Sequence, residues 1–279
     1  SIPGTIRVYG CAAEEKEGVK VQMARDGFLN DLDAALAWHP APVAVVGAVR
    51  TAANNSMEIE FHGKTAHAGV APWEGRSALH AAELFVHGLN LMREHVVPTT
   101  RIQYIIQQGG LATNVVTDHT KIRLCIRDQN RTGVETTTEW ARQVAEGAAM
   151  ATQTRAEFRV VFGLWDLLPN SPLIERTYAN FEKVGMPKWT DEEQAFARTC
   201  QKNMGVPEKG LATKVIYLPK DQTVGGGTDV GDISWNTPSC VFSVPTLPLG
   251  IGLHTWAATA CGGMSIGVKG GVTAAAVMT

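Results

Sequence analysis

Two adjacent glutamates and two distant histidines have the residue types of a metal centre. Glu14 and Glu15 are neighbours in the sequence, and neighbouring carboxylates disfavour each other's ionisation when no positive charge lies beside them. A divalent cation removes that penalty, and imidazole nitrogens bind the same ions. His39 and His254 could supply such nitrogens. These four side chains therefore indicate a divalent-metal site.

The elements around the acidic pair predict where it lies. Residues 4–9 are a short β-rich run that Gly10 ends, so we expect a strand with the pair at its carboxyl end. Open α/β sheets place functional sites at that edge. The charge continues through Lys16 and Glu17. A solvated acidic loop is therefore the alternative, and the pair taken alone favours it.

The remaining histidines differ in their settings. His67 follows a predicted strand in a loop of small residues that a substrate could approach closely, although many loop histidines have no catalytic role. His80, Glu83 and His87 share one face of a predicted helix. Because the apolar stripe of that helix lies on another face, we interpret theirs as the solvent side.

Two further patterns carry no predicted function. Residues 263–267 match the Gly-x-Ser-x-Gly pattern of a nucleophile elbow. That arrangement needs a histidine after the serine, and none follows His254. His95 and His119 lie at the ends of predicted elements without a visible partner, so we assign them no role.

Composition indicates an ordinary soluble globular protein. The chain has 279 residues, of which 44% are hydrophobic and 19% charged, and its net charge is -2. Without a basic cluster, nucleic acid and anionic membranes are poor candidate partners. The five cysteines are an odd, widely spaced set without a Cys-x-x-Cys motif. We therefore expect free thiols in a reducing compartment, the cytoplasm.

The first and last parts of the chain follow an α/β pattern. A helix is predicted over residues 18–25 with its end at Gly27, and a buried strand over 33–38 delivers His39. An apolar, β-branched run follows at residues 43–49. The later elements are predicted helices at 172–183 and 191–202, the second with Thr190 as N-cap, a strand at 240–244 and a Gly-rich helix from Gly262.

The middle of the chain predicts a separate two-layer domain. Four runs alternate between apolar and polar residues, which is typical of half-buried strands, and two apolar-striped stretches predict helices. The strands centre on residues 57–61, 102–106, 122–126 and 158–162, and the helices span about 75–95 and 134–150, the second with Trp140 and Val144 facing inward. The order is βαββαβ, a ferredoxin-like pattern.

Domain bounds and a partner follow from that order. We expect an α/β fold with a catalytic sheet domain at residues 1–51 and 166–279, and an inserted lid and dimerisation domain at 52–165. A four-stranded antiparallel sheet has two open edges, which invite pairing with another chain. We therefore expect a homodimer formed through the inserted domain.

Six short motifs, in order along the whole chain, resemble the aminoacylase and glutamate-carboxypeptidase family of dinuclear metallohydrolases, the M-twenty peptidases. A single motif would be weak, but six in this order around an inserted βαββαβ domain are specific. Within the family, residues 8–11, 38–40, 228–232 and 254–256 resemble the branch that hydrolyses p-aminobenzoyl-glutamate. The motifs are Ala13-Glu14-Glu15, Trp38-His39-Pro40, the run 63–68 with Pro72, Gly109-Gly110 with Asn114-Val115-Val116, Gly227-Thr228-Asp229 and Leu253-His254-Thr255-Trp256.

The resemblance implies a role for each metal-site residue. Glu14 would be the general base that takes a proton from the metal-bound water, and Glu15 a metal ligand. His39 and His254 would be imidazole ligands of zinc or manganese. Thr228 and Asp229 would lie directly behind the ligands.

The resemblance also implies substrate contacts. His67, reaching over from the lid domain of the partner subunit, would hydrogen-bond the developing oxyanion. Asn114 and Arg127 would hold the substrate carboxylate, because the guanidinium fork matches that group. Arg123 lies on the same strand face and could replace Arg127 in this role.

One expected part of the family pattern is missing from these residues. The family's first catalytic segment, with further ligands, would precede residue 1, so the two-metal site is incomplete here. We expect a metal-dependent amidohydrolase that cleaves an N-acyl or N-aroyl amino acid, with glutamate as the amino acid and a related subunit as a further possible partner. The alternative is a catalytically incomplete homologue that acts as a dimerising or substrate-binding partner.

Overall fold

The computed structural model describes residues 3–14, 18–224 and 226–279, apart from the side chains of residues 219–221. The chain divides into two compact units. Unit 1 comprises residues 1–19, 51–166 and 225–231, and unit 2 comprises residues 20–50, 167–224 and 232–279. Among the described residues, no helix has both the length and the apolar composition needed to cross a membrane.

The predicted first strand is not formed. Residues 4–9 have no regular secondary structure, and the side chains of Ile6 and Val8 are 83% and 93% exposed. An extended segment is stable as a strand only when a neighbouring strand pairs with it, and no described strand does so. The expectation that the acidic pair follows a strand is therefore wrong.

The next three elements are close to the sequence prediction. Helix α1 spans Val19–Arg25, strand β1 spans Ala35–Ala41 and strand β2 spans Ala44–Thr51. β1 is an edge strand, which explains why it accommodates Pro40. Being at the edge, it is only half-buried rather than buried as predicted.

The insertion has the predicted βαββαβ order. Its antiparallel sheet has the strand order β4-β5-β3-β6, so β4 and β6 are its edges. Two short 3-10 helices, Pro72–Glu74 and Arg93–His95, flank α2. The elements are β3 (Ala53–His62), α2 (Ala78–Met92), β4 (Arg101–Gln108), β5 (His119–Asp128), α3 (Arg131–Thr152) and β6 (Arg155–Leu164).

The core of this domain lies between one sheet face and the two helices. Phe61 on β3 packs against Phe85 on α2 with ring centroids 5.8 Å apart. The predicted apolar stripe of α2 is confirmed in full, since all six of its residues are buried: Ala78, Ala81, Ala82, Phe85, Leu89 and Met92. The opposite sheet face carries charged side chains.

The inward-facing prediction for Trp140 is wrong. Trp140 is 37% exposed, because the buried stripe of α3 runs through Ala141 and Ala145 and Trp140 lies one position to its side. Ile106 and Val160 are also exposed. Both lie in edge strands, next to a shift in the register of the ladder.

Unit 2 contains a second sheet with the strand order β1-β8-β2-β7. Strand β8 is parallel to β1 and antiparallel to β2. Its core includes Phe181 and Phe242, whose rings meet edge-on. The elements are α4 (Ser171–Val184), α5 (Asp191–Asn203), β7 (Val215–Val224), α6 (Val230–Ser234, which begins in unit 1), β8 (Ser239–Pro245), α7 (Trp256–Gly262) and α8 (Ser265–Met278).

Candidate active site

His39 is positioned by the edge strand β1. Its side chain is exposed, and its Nδ1 lies 2.7 Å from the carbonyl oxygen of Pro40. A carbonyl can only accept a hydrogen bond, so Nδ1 must donate and carry the proton. In the neutral ring this leaves the lone pair of Nε2 available, which is the usual arrangement of a metal-ligating histidine.

His254 lies in the loop between β8 and α7. Its φ angle of 61° is in the left-handed region, which is uncommon for residues with a Cβ and is maintained only when the surroundings impose it. The next residue, Thr255, caps α7 by accepting a hydrogen bond from the Ala258 amide at 3.3 Å. The His254 side chain is exposed. It is therefore a second accessible imidazole in unit 2.

The acidic loop is closed by a backbone hydrogen bond in unit 1. The Gly18 amide donates to the Ala13 carbonyl at 2.8 Å, and both residues have φ near 55°. Gly18 leaves no room for a side chain, since a Cβ would lie 2.8 Å from the Phe162 ring. Glu14 is half-buried in this turn, and Glu15 lies outside the described residues.

Asp229 packs behind the acidic loop. It is buried, and it lies close to Gly18: a Cβ added to Gly18 would be 3.2 Å from the Cβ of Asp229. The Thr228 hydroxyl accepts a hydrogen bond from the Val230 amide at 3.4 Å, which fixes the turn into α6. Unit 1 therefore brings Asp229 close to the loop that carries Glu14.

His67 lies on a rigid loop after β3. The backbone forms a bridge to Val115, with Ala68 donating to the Asn114 carbonyl at 3.0 Å and Val116 donating to the Ala66 carbonyl at 2.9 Å. The Gly69 amide donates to Nδ1 of His67 at 3.2 Å. In the neutral ring the proton is therefore on Nε2, and the exposed side chain can donate it to a bound group.

Asn114 and Arg127 are both accessible, but they occupy different elements. Asn114 is exposed on the loop paired with His67. Arg127 lies on β5 and is half-buried. Arg123, on the same face, donates to Glu58 at 2.9 Å, whereas the described residues provide no ion pair for Arg127. Arg127 is thus the better placed of the two to bind a carboxylate.

The cavities of the inserted domain give limited support for a pocket. One of about 160 Å³ lies beside the Asn114 loop and is lined by Leu111, Val115 and Thr117, among others. Another of about 250 Å³, between α2 and β4, contains none of the predicted site residues. The first is not lined by a predicted site residue either, but it includes Val115, whose backbone pairs with that of His67.

The predicted ligands fit a divalent metal in donor type. His39 presents a free Nε2 lone pair and His254 an exposed imidazole, both suited to zinc or manganese. Neither belongs to a group of three converging donors among the described residues. Glu15 lies outside the described residues. The candidate ligands that the structure describes are therefore His39 and His254, both in unit 2.

Residues 51–151 match the sequence model of the peptidase dimerisation domain of the M-twenty type. They form a peptidase dimerisation domain. This confirms the predicted resemblance to the M-twenty peptidases and agrees with the βαββαβ order of the fold.

Relatives of the chain are hydrolases. The chain is 34% identical to a p-aminobenzoyl-glutamate hydrolase subunit of Escherichia coli over 99% of its own length and 63% of that protein. It is 28% identical to Xaa-Arg dipeptidase of Mus musculus over 66% of its own length and 43% of that protein. The chain therefore spans less than two thirds of the length of these relatives.

Solved structures agree with the fold. An aminobenzoyl-glutamate utilization protein from Klebsiella pneumoniae has a TM-score of 0.61 at 19% identity, covering 92% of this chain and 57% of that one. A putative aminohydrolase from Staphylococcus aureus has a TM-score of 0.59 at 14% identity, covering 93% and 62%. At these identities the likeness concerns the fold alone.

The dimerisation domain contains a polar cluster that the sequence reasoning missed. Glu60, His62 and His119 each offer a ligand atom, and these atoms all lie within 4.8 Å of one another. The hydrogen bond from His119 to Glu60 holds the pKa of the Glu60 carboxyl below its ordinary value, assisted by the charge of Lys121. Glu60 and His62 are two positions apart on one strand face, but the pairing with β5 could not be read from the sequence.

Proposed function

We propose that this chain belongs to a metal-dependent amidohydrolase that cleaves an amide between an acyl or aroyl group and an amino acid. The first substrate to test is p-aminobenzoyl-glutamate. The carrying observation is the 34% identity to the Escherichia coli p-aminobenzoyl-glutamate hydrolase, which extends over 99% of the chain rather than over the dimerisation domain alone. Residues 1–51 and 166–279 would be the catalytic domain, and residues 52–165 the lid.

His39, His254 and Glu15 would hold the metal in this proposal. A bound zinc or manganese ion supplies Lewis acidity toward the scissile carbonyl. The Pro40 carbonyl fixes the His39 ring so that Nε2 is the ligating atom. The left-handed backbone conformation of His254 sets the direction of its side chain. The next residue, Thr255, caps α7 and so fixes the end of the loop that carries His254.

Glu14 would be the general base. Its carboxylate takes a proton from the attacking water and later delivers it to the leaving nitrogen, so that the amide yields an acid and an amine. The closed turn from Ala13 to Gly18, with buried Asp229 behind it, restricts where this carboxylate can move. Positioning of this kind contributes to catalysis because the base must be within hydrogen-bond reach of the water.

His67 and Asn114 would bind the substrate. The proton on His67 Nε2 would be donated to the oxyanion that develops from the carbonyl oxygen. Because the two loops are joined by backbone hydrogen bonds, the backbones of Asn114 and His67 lie close together. Arg127 would bind the carboxylate of the amino-acid part through its guanidinium fork.

A homodimer through the dimerisation domain is part of the proposal. The edge strand β4 exposes Ile105 and Ile106, which supports pairing of that edge with a second copy. A related subunit is a further candidate partner. Native mass spectrometry should show a dimer, and a strict monomer across the micromolar range would contradict this part.

A reducing compartment, the cytoplasm, is also proposed. All five cysteines are free thiols. Burial, together with the neighbouring Cys200, raises the pKa of the Cys261 thiol to about 12, so that thiol resists oxidation. Thiol titration of the denatured protein should find all five reactive, whereas fewer would indicate disulfides.

The role of His67 gives a test with a matched control. His67→Ala should lower kcat for p-aminobenzoyl-glutamate by about 10²–10³, the usual effect of removing one oxyanion donor. His80→Ala replaces an exposed histidine of the same domain on α2 and should leave kcat unchanged. An unchanged kcat in His67→Ala would contradict the assigned role.

A further inference from the structure

The open face of the dimerisation domain brings three metal-binding side chains together. His62 on β3 and His119 on β5 are directly paired across the ladder, and their rings stack with centroids 5.0 Å apart. Glu60, two residues before His62, points to the same face. Its Oε2 lies 2.8 Å from His119 Nε2. The strand register thus aligns the three donors without help from a loop.

His62 is the member of this group whose nitrogen is unsatisfied. Its Nε2 is buried and makes no hydrogen bond with the described residues. It lies 3.6 Å from Glu157 Oε1 on the adjacent strand β6. A buried ring nitrogen without a hydrogen bond is costly, and a metal ion bound to it would remove that cost. Glu157 does not belong to the group of donors whose ligand atoms all lie within 4.8 Å of one another.

We propose that Glu60, His62 and His119 form a transition-metal site, with water as the fourth ligand and zinc as the preferred ion. Two imidazoles and one carboxylate, with water in the fourth position, are a donor set that zinc accepts in tetrahedral geometry. Ligand bonds of about 2.1 Å place tetrahedral donors roughly 3.4 Å apart. The contact of 2.8 Å between His119 and Glu60 must therefore open by about 0.6 Å, and the other separations within the group are at most 4.8 Å.

The surrounding charges set the expected affinity. Lys121 and Arg159 lie 3.6 Å and 3.8 Å from the other oxygen of Glu60, and Arg155 pairs with Glu157. These cations keep the carboxylates ionised, but they also repel a metal ion. We therefore expect a dissociation constant on the order of micromolar rather than nanomolar. The bound ion would link β3 and β5.

Zinc titration of the full chain tests this proposal. To remove the ligands of the proposed catalytic metal, every protein is prepared in the metal-free form with His39→Gln and His254→Gln. Calorimetry should detect one zinc site in this background. Adding His62→Gln and His119→Gln should weaken it at least tenfold. The matched control is His80→Gln with His87→Gln, which replaces two exposed histidines of α2 and should leave zinc binding unchanged.

Two results would overturn the proposal. One is the absence of zinc binding at 1:1 stoichiometry in the His39→Gln, His254→Gln chain, and the other is an unchanged isotherm after His62→Gln and His119→Gln. If that last variant is misfolded by circular dichroism, Glu60→Gln replaces it, since the amide preserves the shape of the side chain. Glu60→Gln should weaken zinc at least tenfold, and unaltered affinity would equally overturn the site.

Discussion

The two sheets of this protein differ in how clearly their sequences predict them. In the dimerisation domain, β3 buries Met57, Ile59 and Phe61 on one face and presents polar residues on the other. In unit 2, the strands are parallel and antiparallel neighbours within one sheet, and although β8 buries Cys240, Phe242 and Val244, apolar residues such as Val241 stand between them. An antiparallel sheet with one covered face is recognisable from its period, whereas a mixed sheet is not.

The largest effects should come from the aromatic residues in each core. Phe85 in the dimerisation domain and Phe181 in unit 2 are both fully buried against another phenylalanine. Replacing either with alanine should cost about 4 kcal/mol, because it removes apolar burial and leaves a cavity. Hydrogen exchange should report the loss in the strands of the same unit.

A neighbouring residue provides the control for that comparison. Leu84 precedes Phe85 on α2 but is 41% exposed, so Leu84→Ala should cost less than about 1 kcal/mol. If Phe85→Ala and Leu84→Ala had equal effects, the packing described for the dimerisation domain would be incorrect.

A polar network in unit 2 should have the next largest effect. Glu193 accepts hydrogen bonds from the Thr190 amide at 2.8 Å, from Ser265 at 2.6 Å and from Lys269 at 2.7 Å. Glu193→Gln should reduce the free energy of unfolding by about 2 kcal/mol, since it leaves Lys269 without its counter-charge. Asp191→Asn, at an exposed position of the same helix turn, should have a much smaller effect.

The Glu193 network also predicts a pH dependence. Burial alone would raise the pKa of Glu193, but the hydrogen bonds from Lys269 and Ser265 hold that pKa below its ordinary value. A carboxyl group with a lowered pKa in the folded state stabilises the protein above its unfolded pKa and loses this contribution as the pH falls through the folded pKa. The stability difference between wild type and Glu193→Gln should therefore shrink below about pH 4. A difference that grew on acidification would contradict this assignment.

The smallest predicted effect is that of removing a helix N-cap, and each unit contains such a cap. Asn130 caps α3 by accepting from Gly133 at 2.9 Å, and Asn170 caps α4 by accepting from Leu173 at 3.1 Å. Replacing either with alanine should cost about 1 kcal/mol. Chemical denaturation of the two variants would measure this. Clearly unequal costs would show that capping depends on the unit around it.

Local features of the chain could be predicted from the sequence, but pairing between distant strands could not. The stripe of α2 and the capping box of α5 at Thr190 and Glu193 were predictable because they depend on residues three or four positions apart. Strand β7 was missed because Pro219 and the charged residues after it interrupt its apolar pattern. Residues 4–9 look like a strand, but strand formation depends on a partner that their sequence does not reveal.

The candidate site also has some features that the sequence predicts and others that depend on the folded structure. The types of Glu14, His39, His67 and His254 indicated a metal-dependent hydrolase, because each stands in a short recognisable motif. The tautomers of His39 and His67 depend on hydrogen bonds to Pro40 and Gly69, which a residue pattern does not specify. The cluster of Glu60, His62 and His119 depends on the register between β3 and β5.

Turnover of p-aminobenzoyl-glutamate by the zinc- or manganese-loaded chain tests the central claim most directly. Wild-type protein should release p-aminobenzoate and glutamate. Glu14→Gln should lower kcat by about 10³ while elemental analysis shows the same metal content, and Glu83→Gln at an exposed helix position should match wild type. Metal loss in Glu14→Gln would make Glu14 a ligand rather than the base. No turnover by the metal-loaded wild-type chain would contradict the proposed activity and favour a dimerising or substrate-binding homologue.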